Sequence, residues 1–404
     1  MTVSATGETV LPPFPVPRPA SCPLQMAPEY GEWVAQEGLE RTVLADGTPV
    51  WAVNRYADIK EALADERLSA DGRNPNMPGP GTGPDGTPSF PRMDDPEHNR
   101  IRRMFTKDFT VKRIEAMRPG IQKMADDLLD TMTAKEGPAD LVQEYALPLP
   151  SLVISLLLGV PYDDHEFFQN HTMLVLRSGV SKEEMMGSRR AMFSYLLDLV
   201  ERKEREPADD LLSRLAQEQI LTGQLRREEA VVSASALLVA GHETTANMIA
   251  LSTLALLQHP DLLARIRDTD DPKVVANAVE ELLRYLTIVH SNVFRVATED
   301  LTLSGTRIKA GEAVSMNLPA GNWDPAYTTD PGTFDLDRDT RGHLAFGYGT
   351  HQCVGQQLAR AELQIALPTL LRRLPELSLA VPAEELTFRN DMIVYGLYSL
   401  PVTW

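Results

Sequence analysis

The residues best suited to chemistry surround the second of the chain's two cysteines, in Phe346-Gly347-Tyr348-Gly349-Thr350-His351-Gln352-Cys353-Val354-Gly355. The segment has the form F-x-x-G-x-x-x-C-x-G. At ordinary residue frequencies a chance match in a chain of this length is roughly a one-in-a-thousand event. A cysteine that ligates iron works as a thiolate and must be screened from water and oxidant. Gly349 and Gly355 let backbone approach the sulfur and permit positive φ, so that N–H groups can point at it. A helix starting near Val354 would bring its positive end to the thiolate, and Phe346 can shield it. A plainer reading makes Cys353 a small buried hydrophobe, as free cysteines often are. Two glycines and an aromatic in register argue against that. Cys22, between Ser21 and Pro23, has no such setting and is expected to be inert.

A second unusual segment is Ala240-Gly241-His242-Glu243-Thr244-Thr245, inside a long apolar stretch. Gly241 weakens a helix by about 1 kcal/mol relative to Ala. Thr244 can bond back to a carbonyl and open the helical ladder, leaving room for a small ligand and a water. The alternative is a satisfied buried threonine beside a solvent-facing Glu243. His242-Glu243 does not extend to a zinc-protease motif, because Ala246 stands where a second histidine is needed. Three weaker signals are Glu281 and Arg284 on one helical face, His98 and Arg102 one turn apart, and Arg295 opening a strand-like piece.

These residues need a scaffold, and the periodicity supplies a mainly α one. Helices are expected over 26–38, Arg55 to Glu66, 111–135, 139–160, 164–177, 181–206, 208–217, 227–258, 260–268, 272–287 and 354–373. Asp95 and Pro96 suit the start of another. The segment 227–258 is apolar nearly all round and should run through the centre. Strands Thr42–Ala45 and Thr48–Val53 should form a hairpin with a type I′ turn at Asp46-Gly47. A strand-rich stretch is expected at 289–317, and strand-like pieces after 373. Residues 1–25 read as an extended arm laid over a surface, and 71–92 as a long, functional loop. No linker or repeat divides the chain, so 1–404 is expected to be one domain.

Composition narrows the function. A formal charge of −18 opposes a general nucleic-acid role. No apolar run reaches transmembrane length and no secretory leader is visible. With two distant cysteines, a cytoplasmic protein without disulfides is expected. There is no G-x-S-x-G and no Gly-rich loop ending in Gly-Lys.

Taken in order, the cysteine segment, Ala240 to Thr245, Glu281/Arg284, His98/Arg102 and Phe334-Asp335-Leu336-Asp337-Arg338 resemble the cytochrome P450 superfamily over nearly the whole chain. They are most similar to soluble actinobacterial members that oxidise macrolides, sterols and drug-like polyketides. The resemblance implies a triangular, mainly α prism with small β-sheets around one b-type haem. It implies Cys353 as axial ligand, and His98, Arg102, Arg295 and His351 on the propionates. Phe346, Gly349, Gly355, Ala240 and Gly241 would line the haem. Glu281, Arg284 and Arg338 would form a buried network behind it. Many relatives carry Arg at the position of Trp323, which puts the local packing of that network in question.

The implied reaction inserts one oxygen atom from O2 into an apolar small molecule. Thr244 would hold the oxygen or a water, and Glu243 would connect that site to solvent protons. Without a flavin or iron–sulfur signature, electrons would come from a ferredoxin and ferredoxin reductase. Arg100, Arg102, Arg103, Lys107, Lys112 and Arg113 would offer the docking patch, unless they are simply a solvated face. Leu237, Val289, Val293, Met392 and Ile393 would touch substrate, under a movable lid of 72–92 and 176–184. Arg73, Arg92, Arg177 and Lys182 can take a carboxylate at the mouth, although solvated surface cations are commoner. Rival readings are a peroxygenase or coupling enzyme, or a non-catalytic haem sensor.

Overall fold

The structure, a computed structural model, describes residues 2–3, 9–79, 81–135 and 137–404. Its helices are α1 (Pro28–Ala35), α2 (Tyr56–Ala64), α3 (Glu97–Thr106), α4 (Val111–Thr133), α5 (Pro148–Leu158), α6 (His165–Leu176) and α7 (Lys182–Arg205). They continue with α8 (Leu211–Leu215), α9 (Arg227–Leu257), α10 (Pro260–Asp268), α11 (Pro272–Leu286), α12 (Leu318–Asn322) and α13 (Gln356–Arg373). The fold is mainly helical with small sheets.

Helix α9 has 31 residues and is about 46 Å long at 1.5 Å per residue. Helices α5, α7 and α13 pack on it. A helix covered on so many sides has no polar face to give away, which is why its sequence lacks an amphipathic stripe. Within its buried run, Ala240, Gly241 and Thr244 are the least covered, because they face a cavity.

A five-stranded sheet has the order Glu40–Val43, Pro49–Val53, Ala313–Met316, Phe294–Ala297, Leu68–Ser69. Val314 pairs in parallel with Trp51 and antiparallel with Arg295. Strand alternation sets the direction of Arg295. Phe294 and Val296 pack with Val50, Met77 and Ala313 on one face, so Arg295 emerges on the other, where it lines the cavity.

Several boundaries differ from the sequence-based expectation. The hairpin turn is not type I′. Leu44 N–H reaches Thr48 O at 2.9 Å and Gly47 N–H reaches Leu44 O at 2.9 Å, with positive φ at Gly47 and not at Asp46. This is a three-residue loop whose αL glycine forms a bulge. Residues 139–160 are not one helix: a short strand and a π-turn (Val142–Ala146) precede α5, which stops at Gly159 in the left-handed region. The stretch 208–217 is likewise α8 followed by a π-turn. Helix α3 begins at Glu97, and Asp95 accepts from Asn99 N–H at 3.1 Å.

The arm is deeper than expected. Phe14, Val16, Arg18 and Leu24 are buried. Arg18 donates to the Leu286 and Thr287 carbonyls at 2.5 and 3.2 Å, satisfying the C-terminus of α11. Met1 and residues 4–8 of the arm lie outside the described residues. The loop 71–92 is closed on itself: a Cβ on Gly72 would lie 2.0 Å from Gly81 O, so both positions require glycine.

Candidate active site

Cys353 is positioned by a tight backbone turn. Its N–H donates to Phe346 O at 2.9 Å, and Gln352 N–H donates to Gly349 O at 3.0 Å. Gly349 has a φ of +74° and packs against Leu63 O, so it shapes the turn and does not approach the sulfur. Gly355 is the close neighbour, although its φ is −85°. A Cβ there would lie 4.0 Å from Sγ. Burial pushes the Cys353 thiol up, and the Gly355 N–H, Arg102 and Arg360 offset this only in part. Cys353 is open only in the sense that it borders the cavity. Cys22 is exposed and remote from this turn in sequence.

The cavity holds about 380 Å³. Ala240, Gly241 and Thr244 of α9 line it, as do Phe346, Cys353 and Gly355 of the cysteine turn. Leu237, Val289 and Val293 line it as well. Met392 and Ile393 do not: Met392 is buried with its carbonyl bonded to His290 Nε2 at 2.6 Å, and Ile393 N–H bonds Leu176 O. The 176–184 turn is also absent from the lining, and 72–92 contributes only Pro91 and Arg92.

Basic groups gather at one end. The rings of His98 and His351 stack with centroids 4.1 Å apart. Burial and the neighbouring cations push His351 down to about 2, and burial with Arg102 lowers His98. His98 Nε2 and His351 Nδ1 are buried without hydrogen-bond partners among the described residues. Burial lowers Arg295 to about 10 and also lowers Arg102. Arg102 donates to Gln352 O at 2.5 Å, tying α3 to the cysteine turn. Stacked imidazoles with orphan nitrogens, beside two desolvated arginines, await anionic acceptors. With a thiol and a helix lining the same cavity, these residues fit a haem that Cys353 would ligate and the basic groups would anchor.

Behind the turn, Arg284 and Glu281 are fully buried and bidentate at 2.7 and 2.8 Å, and Arg338 reaches Glu281 at 3.3 Å. Trp323 does not break this network. Its Nε1 donates to Tyr285 O at 3.0 Å and its ring packs on Tyr285. A second brace escaped the sequence reading. Glu280 binds Arg360 and His343 at 2.6 and 3.0 Å. Burial opposes its ionisation, but these bonds outweigh it and hold Glu280 at about 2. Arg360 in turn lies over the Phe346 ring at 4.5 Å.

On the α9 side, Thr244 Oγ1 donates to Ala240 O at 2.5 Å while the helix stays continuous. Glu243 is neither solvent-facing nor in the cavity lining. It is buried and paired with Arg389 Nη1 at 2.7 Å. Arg389 sits in an irregular C-terminal segment, with no periodicity to mark it. Glu362 was also missed: an acid on the cavity stripe of α13, bonded to Thr245, which burial raises to about 8. Of the expected docking patch, Arg100, Lys107 and Arg113 are engaged by Glu229, Glu218 and Asp209. Arg103 and Lys112 are exposed, with no ion pair among the described residues.

The family model described as Cytochrome P450 matches residues 41–385. Cytochrome P450-SU2 of Streptomyces griseolus is 50% identical, covering 99% of this chain and 100% of that one. The crystal structure of GfsF, a cytochrome P450 of Streptomyces halstedii, superposes with a TM-score of 0.88 at 47% identity, covering 97% and 100% of the two chains. A mycinamicin VIII methyl hydroxylase, MycCI of Micromonospora griseorubida, solved with mycinamicin VIII bound, gives a TM-score of 0.90 at 38% identity, covering 98% and 100%. No helix among the described residues is long and apolar enough to cross a membrane. With the thiol, the basic end and the α9 wall in one cavity, this chain belongs to the cytochrome P450 family of haem monooxygenases.

Proposed function

We propose that the chain binds b-type haem through Cys353 and inserts one oxygen atom from O2 into a bulky apolar small molecule of polyketide, macrolide, statin or sterol size. A ferredoxin and its reductase supply the electrons. The observation that carries this reading is that Cys353 and Thr244 line one largely aliphatic cavity.

Bound haem supplies the iron centre for oxygen activation, with thiolate ligation favouring O–O cleavage. The chain's own residues do the rest. The turn from Phe346 to Gly355 fixes the sulfur, and the Gly355 N–H favours its thiolate. His98, Arg102, Arg295 and His351 seat the propionates. Thr244 parks its hydroxyl proton on Ala240 O, leaving its oxygen to accept from a water in the cavity. Glu243 follows Thr244 in the proton route only when its bond to Arg389 loosens, since that pair is closed here. Leu237, Val289 and Val293 exclude water and hold apolar substrate. The mycinamicin VIII bound to MycCI supports the size class.

Two spectra test this. Cys353→Ser should remove the strongly red-shifted Soret band of the reduced CO complex; survival of that band would refute the ligand assignment. The ferric enzyme should shift to high spin with macrolide- or sterol-sized compounds. Tight shifts with monoterpenes or phenols alone would refute the substrate class.

A further inference from the structure

The basic end of the cavity holds more positive charge than a haem needs. Arg92 lines the cavity from the end of the 71–92 loop. It donates to Asn292 Oδ1 at 2.6 Å and to the Met77 sulfur at 3.3 Å. Burial, then Arg295, then Arg189 push Arg92 down to about 10, so it stays charged at neutral pH. Arg189, on α7, donates to the Thr82 carbonyl of the same loop and is itself lowered by burial. Neither has a carboxylate partner among the described residues. By contrast, Arg73 is held by Asp71 and Glu97, and Arg177 by Asp391.

Arg92 and Arg295 thus line the cavity, Arg102 reaches the cysteine turn, and Arg189, outside the lining, is near enough to act on Arg92. Two propionates would balance two of the arginines. Asp94 adds negative charge toward Arg295, already one of the two arginines given to the propionates, while accepting from Ser69 Oγ and Ala70 N–H at 2.5 and 2.7 Å. Arg92 and Arg189 remain without a carboxylate among the described residues, an arrangement that costs free energy in a desolvated site until an anion arrives. Asn292 uses its oxygen on Arg92, which leaves its amide N–H donors for a second acceptor at the cavity wall.

We propose that the substrate is an anion: a bulky apolar molecule carrying one carboxylate, which docks between Arg92, Asn292 and Arg189 at the end of the cavity nearest the 71–92 loop. This rests on the haem-monooxygenase reading above and sharpens its substrate class. The carboxylate would anchor one end of the molecule, so that the aliphatic remainder extends along Val289 and Val293 toward Thr244. It also gives the loop and α7 a shared ligand, since one arginine comes from each.

The test is a spin-shift titration of the ferric holoenzyme with acid and ester pairs: lithocholic acid against methyl lithocholate, and palmitic acid against methyl palmitate. At least one acid should bind about ten-fold or more tightly than its ester, as for a charge-assisted hydrogen bond. Arg92→Gln and Arg189→Gln should each remove that preference while leaving the ester affinity in place; a general packing defect would weaken both ligands together. If Arg92→Gln loses haem, Arg189→Gln carries the test. Absence of an acid preference in every pair, or a preference unchanged in the variants, overturns the proposal. The CO spectrum and the spin shift with a neutral macrolide report separately on the haem-thiolate reading.

Discussion

Arg389→Met tests whether the acid beside Thr244 is held by a closed ion pair. Arg389 and Glu243 have side chains only 3% and 2% exposed, and their contact is 2.7 Å. Removing the cation leaves a carboxylate in a site with little water to solvate it. Breaking one side of a buried pair costs about 3–5 kcal/mol. Unfolding a chain of 404 residues releases roughly 0.85 kcal/mol per kelvin of entropy, so the melting temperature should fall by about 4–6 °C. Glu243→Gln combined with Arg389→Met removes both charges and should recover most of the loss, because uncharged replacements of buried pairs are often near neutral. Thermal unfolding of the haem-loaded proteins, followed by circular dichroism, reads all three variants. A fall of less than about 1 °C for Arg389→Met, or a double variant as unstable as the summed singles, would refute the pair.

Thr244→Ala should retain haem and substrate binding but divert reducing equivalents to hydrogen peroxide; unchanged coupling of NAD(P)H to product would remove Thr244 from the proton route. Glu362 is held protonated by burial up to about pH 8, whereas in the unfolded chain it ionises near its ordinary value. The folded protein thus loses stability relative to Glu362→Gln as pH rises from about 5 to 8, by on the order of 4 kcal/mol, and the difference levels off above that. A gap in melting temperature that is flat across this window would contradict the assignment. Arg103→Glu should raise the KM for ferredoxin at low salt, with the difference shrinking as ionic strength increases; reduction indifferent to both changes would place the docking face elsewhere.

What the sequence disclosed follows from how strongly each feature constrains its neighbours. The cysteine turn was legible because a thiol buried beside a helix start needs glycine and an aromatic at fixed offsets. Helix α9 was legible because a helix covered on several sides must be long and apolar. The π-turns at 142–146 and 216–220 were not, since their composition differs little from that of an α-helix. Glu243 illustrates the limit most clearly. Its neighbour Thr244 marked it for chemistry, but its partner lies 146 residues away in an irregular segment. Arg92 and Arg189 show the same limit, because only the folded chain brings them together. Glu362 left a fainter trace, as an acid on the otherwise apolar stripe of α13 with Leu358 and Leu363.

The route of the chain has a consequence for biosynthesis. Residues 401–403 pair with the 139–140 strand, and Arg389 neutralises Glu243. Both contacts join the middle of the chain to residues 389–402. While residues 389–402 remain inside the ribosome, the short strand after α4 has no such partner and the acid beside Thr244 has no cation. Cys353 can emerge and its turn can form, yet the α9 side of the pocket is still unfinished. Completion of this region therefore waits for residues 389–402 to emerge, so a ribosome stalled while they are still in its tunnel would display a nascent chain that captures haem poorly.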